Sequence, residues 1–179
     1  MDQLFAPWRI EWVTREDRID PDGCVFCALP HEDDHREALV VAETEHSYVL
    51  LNNAPYNPGH VMVIPRRHVT DPRELGDDEM LDQERLVART VDALESTMRP
   101  DGFNTGRNIG DAGGGSIAHV HTHVVPRWRG DTNFMAVIDG SKVIVQALDD
   151  TYEALHAAFA DQEDSTGSDD TRAVRIRFD

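Results

Sequence analysis

One stretch, His119-Val120-His121-Thr122-His123-Val124-Val125, limits the possible folds of this chain more than any other. Side chains of a β-strand point alternately to its two faces, so His119, His121 and His123 are expected on one side and Val120, Thr122 and Val124 on the other. Three imidazoles then share one site. Neutral imidazole serves as a metal ligand, a nucleophile or a proton carrier near neutrality, and neighbouring positions on one strand can divide those tasks. The expected strand, 117–125, follows Gly110-Asp111-Ala112-Gly113-Gly114-Gly115-Ser116, whose small residues let the backbone approach a ligand closely. A neighbouring strand is expected over 103–109.

Apolar runs at 38–42 and 48–51, separated by Glu43 to Ser47, predict a hairpin. A third run, 60–64, follows Asn57-Pro58-Gly59 and stops at Pro65. Met80, Val87, Val91, Leu94 and Met98 recur mainly at helical spacing, which predicts a helix between Asp77 and Met98, capped by Asp77 and ended by Pro100-Asp101-Gly102. The capping-box spacing of Asp150 and Glu153, with the stripe Tyr152, Leu155 and Phe159, predicts a second helix. Further strand structure is expected over 134–138 and 142–145. Residues 162–171, rich in acidic, Ser and Gly residues, are expected to be disordered, and alternation over 172–178 predicts a docking strand. The expected class is therefore α+β, an antiparallel sheet with two packed helices. The chain divides into an arm over 1–23, a single body over 24–160 and an acidic tail over 161–179.

Charge narrows the function. The 179 residues carry 34 Asp and Glu against 17 Lys and Arg, a formal net charge of -17. Such a surface repels nucleic-acid backbones and anionic membranes, so neither a nucleic-acid polymer nor a membrane is an expected partner. Lys142 is the one Lys, beside 22 Asp and 12 Glu. Dense carboxylates with few Lys stems suit a salt-rich, halophile-like setting, and stability is expected to rise with monovalent salt. No run reaches the roughly 18 apolar residues of a membrane span, and no basic segment with an apolar signal core opens the chain. A cytoplasmic location is expected.

The two cysteines, Cys24 and Cys27, stand two residues apart. A pair this close cannot build the multi-bridge framework of a small secreted domain, and it points to metal ligation or redox chemistry.

Taken together, these motifs resemble the histidine triad (HIT) nucleotide-binding superfamily, defined by three His at alternating positions followed by apolar residues. The resemblance runs through Asn52-Asn53-Ala54-Pro55-Tyr56-Asn57-Pro58-Gly59-His60, Ile64-Pro65-Arg66-Arg67-His68 and Gly110 to Arg127. Ala6-Pro7-Trp8-Arg9, Val125-Pro126-Arg127-Trp128 and Asn133-Phe134-Met135 are similar to the branch of diadenosine polyphosphate hydrolases and phosphorylases. The resemblance implies a compact HIT-like fold, a homodimer, and a nucleoside phosphate or dinucleoside polyphosphate held against the histidine strand. His121 corresponds to the nucleophile, which would attack the α-phosphorus to give a nucleotidyl-histidine released by water or inorganic phosphate. His123 and His60 would assist the transferring phosphoryl or the leaving group. Ser116, with the backbone of Gly114 and Gly115, would bind phosphate oxygens. Asn52 would contact the ribose, and Arg127 would supply positive potential.

The same resemblance implies one structural zinc per chain, held by Cys24, Cys27, His68 and His119, a tetrahedral set that suits a closed site. One departure stands out. Many members place Gln just before the phosphate-binding Ser, whereas this chain has Gly115, which leaves hydrolysis and phosphorolysis both open. Other readings of the same residues are a nucleoside phosphoramidate hydrolase, a catalytically weak nucleotide-binding module, a zinc-stabilised interaction protein, and a metallo-hydrolase with metal at His119, His121 and His123.

Overall fold

The computed structural model describes residues 23–131, 148–167 and 169–178. Its strands are β1 (Val40–Glu43), β2 (Ser47–Leu51), β3 (Val61–Pro65), β4 (Gly102–Arg107), β5 (Thr122–Arg127), β6 (Ser165–Thr166) and β7 (Val174–Ile176). Its helices are α1 (Val25–Ala28), α2 (Asp77–Met98) and α3 (Leu148–Ala160). The strands form one sheet in the order β4-β5-β3-β2-β1-β7-β6. Every pairing is antiparallel except that of β1 with β7. This is the α+β, HIT-like architecture expected.

The central strands are buried along their whole length because both faces of the sheet are covered. On one face Val49, Leu51, Val63 and Val124 pack against Leu86 and Leu94 of α2 and Leu155 and Phe159 of α3. On the other, Val40, Tyr48, Leu50 and Met62 pack against Phe26 of α1. Alternation along β2 sends Tyr48 and Leu50 one way and Val49 and Leu51 the other. That second face, covered among the described residues by the short α1 and loops, is the one that carries the candidate site.

The long helix spans the expected residues, but the side it buries differs. Asp82, Gln83, Leu86, Thr90, Ala93 and Leu94 are buried, Met80 is exposed, and Val87, Val91 and Met98 flank the core. The stripe was not legible as apolar because its polar members are satisfied internally: Gln83 Nε2 donates to Val63 O, Thr90 Oγ1 to Leu86 O, and Thr44 Oγ1 to Asp82 Oδ2. Gly76, not Asp77, is the N-cap, with its N–H donating to Glu79 Oε2 at 2.8 Å. Asp77, Asp78 and Glu79 lie in the first turn, where carboxylates favour the helix dipole. The helix ends at Arg99, in the left-handed region.

Two strand boundaries also differ. β4 stops at Arg107, and β5 begins only at Thr122, so His119 and His121 precede the strand. Of the acidic segment expected to be disordered, Ser165–Thr166 pairs with β7. The polypeptide there is held by its backbone: His35 N donates to Thr171 O, Ala173 N to His35 Nδ1, and His156 Nε2 to Arg172 O. Val174 and Arg175 pair in parallel with Ala42 and Glu43. Glu153 binds Arg36 rather than forming a capping box. All of the arm over 1–23 except Gly23, and the strands expected at 134–138 and 142–145, lie outside the described residues. Among the described residues no helix is long and apolar enough to cross a membrane.

Candidate active site

The β2–β3 connection, Asn52 to His60, carries the first part of the site. Gly59 sits at φ 74°, and a Cβ there would run into Met98 Sδ and Leu94 at the end of α2, so this turn accepts only glycine without rearrangement. The turn delivers His60 at 0% exposure. Its Nδ1 accepts from Tyr56 N at 3.1 Å, which places the ring proton on Nε2, and Nε2 donates to His123 Nδ1 at 3.0 Å. The Tyr56 ring stacks on His60 with centroids 4.9 Å apart. Accepting at Nδ1 leaves His123 with its proton on Nε2. A buried relay thereby makes His123 a hydrogen-bond donor.

His121 is fixed in the opposite sense. Its Nδ1 donates to His119 O at 2.8 Å, so the lone pair resides on Nε2. The rings of His121 and His123 meet edge to face at 4.7 Å. Both line a cleft of about 250 Å³, together with the polar side chains of Asn52, Ser116 and Asn108, with Gly114, and with the apolar Phe26, Leu29, Leu50 and Met62. A ring nitrogen with its lone pair and a donor imidazole thus line one groove of mixed polar and apolar character.

The other expected residues fall into place unevenly. Asn52 Oδ1 accepts from Ala54 N, and its Nδ2 lies 3.3 Å from His60 Nδ1. Gly114 takes φ 83°, and a Cβ on Gly115 would meet Asn108 Cβ at 3.4 Å. Arg127 is not among the cleft-lining residues. Its Nε binds Asp131 Oδ2 at 2.6 Å and its Nη1 binds Asn104 Oδ1 at 2.7 Å. Hydrogen bonds from Arg127, then Trp128 N and Asn57, outweigh burial and hold the Asp131 carboxyl down to about 2. Sequence reasoning missed Asn108, Glu37 and the apolar wall. Phe26, placed between the two cysteines, and Leu50 and Met62, within the apolar runs, were the residues of that wall with a signal in the sequence.

His119 turns away from the cleft. Its Nε2 donates to Pro65 O at 2.9 Å, leaving the Nδ1 lone pair 3.4 Å from Cys24 Sγ and 3.7 Å from Cys27 Sγ. His68 Nδ1 lies 3.4 Å from Cys27 Sγ, and the four ligand atoms are all within 4.8 Å of one another. Two ligands at tetrahedral angle with bonds of about 2.3 and 2.0 Å would stand about 3.5 Å apart, so the spacing fits one soft dication. Burial, above all, then His68 and His121 hold the His119 imidazole neutral down to about 4, the state a ligand needs. Without a cation, burial and the neighbouring Cys24 push the Cys27 thiol up. Phe26, on α1 between the cysteines, touches the His119 and His121 rings edge-on at 5.9 and 5.3 Å. The metal corner and the cleft share a wall.

Residues 34–130 match the HIT domain. Over 169 residues the chain is 40% identical to an AP-4-A phosphorylase of Mycobacterium tuberculosis, covering 90% of this chain and 86% of that protein. It is 32% identical over 105 residues to the adenosine 5'-monophosphoramidase hnt1 of Schizosaccharomyces pombe, covering 59% of this chain and 74% of that protein. A zinc-bound histidine triad family protein from Mycobacterium smegmatis has a similar structure, with a TM-score of 0.62 at 26% identity, covering 76% of this chain and 93% of that one.

Proposed function

Since the chain belongs to the HIT domain family, we propose that it is a nucleotidyltransferase that cleaves dinucleoside polyphosphates of the diadenosine tetraphosphate type, with inorganic phosphate as acceptor. The observation that carries this reading is the His121 Nδ1 to His119 O hydrogen bond, which leaves the lone pair on the nitrogen beside His123. The 40% identity with a protein named an AP-4-A phosphorylase supports both substrate and acceptor.

In the proposed first step, His121 Nε2 attacks the α-phosphorus. The bond to the bridging oxygen breaks, and nucleoside triphosphate leaves with its new charge met by the His123 Nε2–H. Covalent capture divides one displacement between two easier ones. Phosphate oxygen then attacks the same phosphorus, His121 departs, and the products are ADP and ATP. Water in place of phosphate would give AMP and ATP. Ser116 and the backbone of Gly114 and Gly115 would donate to nonbridging oxygens, Asn52 would hold the ribose, and His60 would position His123. Gly115 presents no amide side chain at the acceptor side, which favours room for phosphate.

In this reading, Cys24, Cys27, His68 and His119 would hold a zinc ion, which would supply structure rather than water activation. The protein acts in the cytoplasm as a homodimer of single-domain chains. Among the described residues β4 ends the sheet, and strand edges of this kind are pairing surfaces. Incubation of labelled diadenosine tetraphosphate with and without inorganic phosphate tests the acceptor. Labelled phosphate in ADP is expected; AMP as the sole mononucleotide product, whatever the phosphate level, would replace phosphorolysis by hydrolysis.

A further inference from the structure

The floor of the cleft runs across the sheet, not along a strand. His123 on β5 pairs with Met62 on β3, Met62 with Leu50 on β2, and Leu50 with Val40 on β1. Neighbouring strands lie about 4.8 Å apart, so this row is about 14 Å long. A nucleoside monophosphate laid along it, with its phosphate at the histidines, points its base at the segment just before β1. Leu50 and Met62 form the apolar floor beneath that base, with Phe26 and Leu29 in the same wall.

The far end of the row is closed by Glu37, Ala38 and Leu39, all of which line the cleft. This segment is tightly fastened. Glu37 N donates to Asp34 Oδ1 at 3.0 Å, Ala38 N to Asp34 O at 3.1 Å, and Leu39 N to Arg36 O at 3.0 Å. Leu39 adopts φ 60°, a left-handed conformation that non-glycine residues take at a cost, and Leu51 N donates to its carbonyl at 2.9 Å. Glu37 is the one carboxylate among the described residues that line the cleft. An ionised carboxylate only accepts hydrogen bonds, so at the base end it favours a ring edge that presents N–H and opposes one that does not.

We propose that Glu37 is a specificity-determining residue that selects the nucleobase by accepting a hydrogen bond from the exocyclic amino group of a 6-aminopurine. The inference rests on the nucleotide-binding reading above and adds the recognition of the base. It assigns a task to a residue outside every motif of the catalytic segment.

The test compares diadenosine tetraphosphate with the analogue in which hydrogen replaces each C6 amino group. Only one donor changes. The wild-type enzyme should prefer the amino compound by about 10-fold or more in kcat/KM, since a charge-assisted bond is lost. In Glu37→Ala the ratio should fall to within about 2-fold of unity, and Glu37→Gln, which keeps a neutral acceptor, should lie between. Turnover of the analogue should not fall in Glu37→Ala or Glu37→Gln, a result that general damage to the fold would not give. The same ratio is to be read from equilibrium binding of the two nucleoside 5'-monophosphates, which needs no catalysis. An unchanged ratio in Glu37→Ala would overturn the role of Glu37 alone, whereas wild type that neither cleaves nor binds either compound would overturn the reading beneath it.

Discussion

His119 and His121 stand two residues apart in the segment just before β5, yet they present opposite nitrogens. His119 gives its Nε2 proton to Pro65 O and turns Nδ1 toward two cysteines, whereas His121 gives its Nδ1 proton to His119 O and presents Nε2 to the cleft. The chemistry available to each ring follows from which carbonyl lies beside it. One ring belongs to the candidate metal cluster and the other lines the cleft, and Phe26 touches both. The difference also shows why a single backbone segment serves both: the His119 carbonyl orients the His121 ring while the His119 side chain faces the cysteines.

The comparison breaks most sharply at the nucleophile. His121→Asn should lower turnover by about 10³-fold or more and abolish covalent nucleotide capture, with metal content and thermal unfolding little changed. Mass spectrometry of the protein quenched during turnover reads the adduct. Retained wild-type turnover would move the attack to another group.

On the metal side, Cys24→Ala with Cys27→Ala should take bound zinc from about one per chain to none and lower the unfolding temperature. Because α1 carries Phe26 into the cleft, turnover should fall as well, by about 10- to 100-fold, as for the loss of outer-shell support elsewhere. Undiminished zinc in the double variant would remove the ligand assignment. Turnover that stays whole after zinc is lost would show that the two corners are independent.

A smaller effect is expected one step back from the chemistry. His60→Phe keeps a ring in the pocket but removes the Nε2–H that holds His123, so kcat should fall by about 10-fold with KM nearly unchanged. The loss should grow as the leaving group becomes more basic, because a leaving group that needs no proton does not need an oriented donor. Steady-state kinetics across leaving groups would separate this from simple misfolding, which lowers all substrates alike.

The smallest effect concerns a histidine that takes part in neither corner. Burial, then Arg172, lowers the affinity of His35 for a proton, and its Nδ1 accepts from Ala173 N. Above the ordinary histidine value of about 6.5, neither folded nor unfolded chain carries that proton, so stability is flat. Below it the unfolded chain binds a proton that the folded chain resists, and stability falls with pH. In urea unfolding between about pH 7.5 and about pH 5.5, wild type should therefore lose more stability than His35→Gln. Equal losses would mean that His35 is already protonated in the fold and that the C-terminal strand docks without it.

Much of this arrangement can be traced in the residues alone. Alternating His119, His121 and His123 announced imidazole chemistry, Cys24 and Cys27 announced a metal or redox pair, and the runs that became β1, β2 and β3 stood out because strands buried on both faces are continuously apolar. The long helix was legible in extent but not in face, since Gln83 and Thr90 look like surface residues until their partners on β3 and within the helix are known. The tail looked disordered because its composition is acidic and small, while its anchors are backbone groups and two histidines with no motif, His35 and His156.

Residue types and short periodicities are local properties, so they settled which side chains were present to do chemistry and which segments would be strands or helices. Tautomers, the division of three histidines between two corners, the pairing of Arg127 with Asp131 and the arrival of Glu37 at the end of the cleft depend on groups brought close from 2 to 95 residues away in the chain. Those contacts exist only once the sheet has set its register, because register decides which carbonyl, thiol or carboxylate each ring meets.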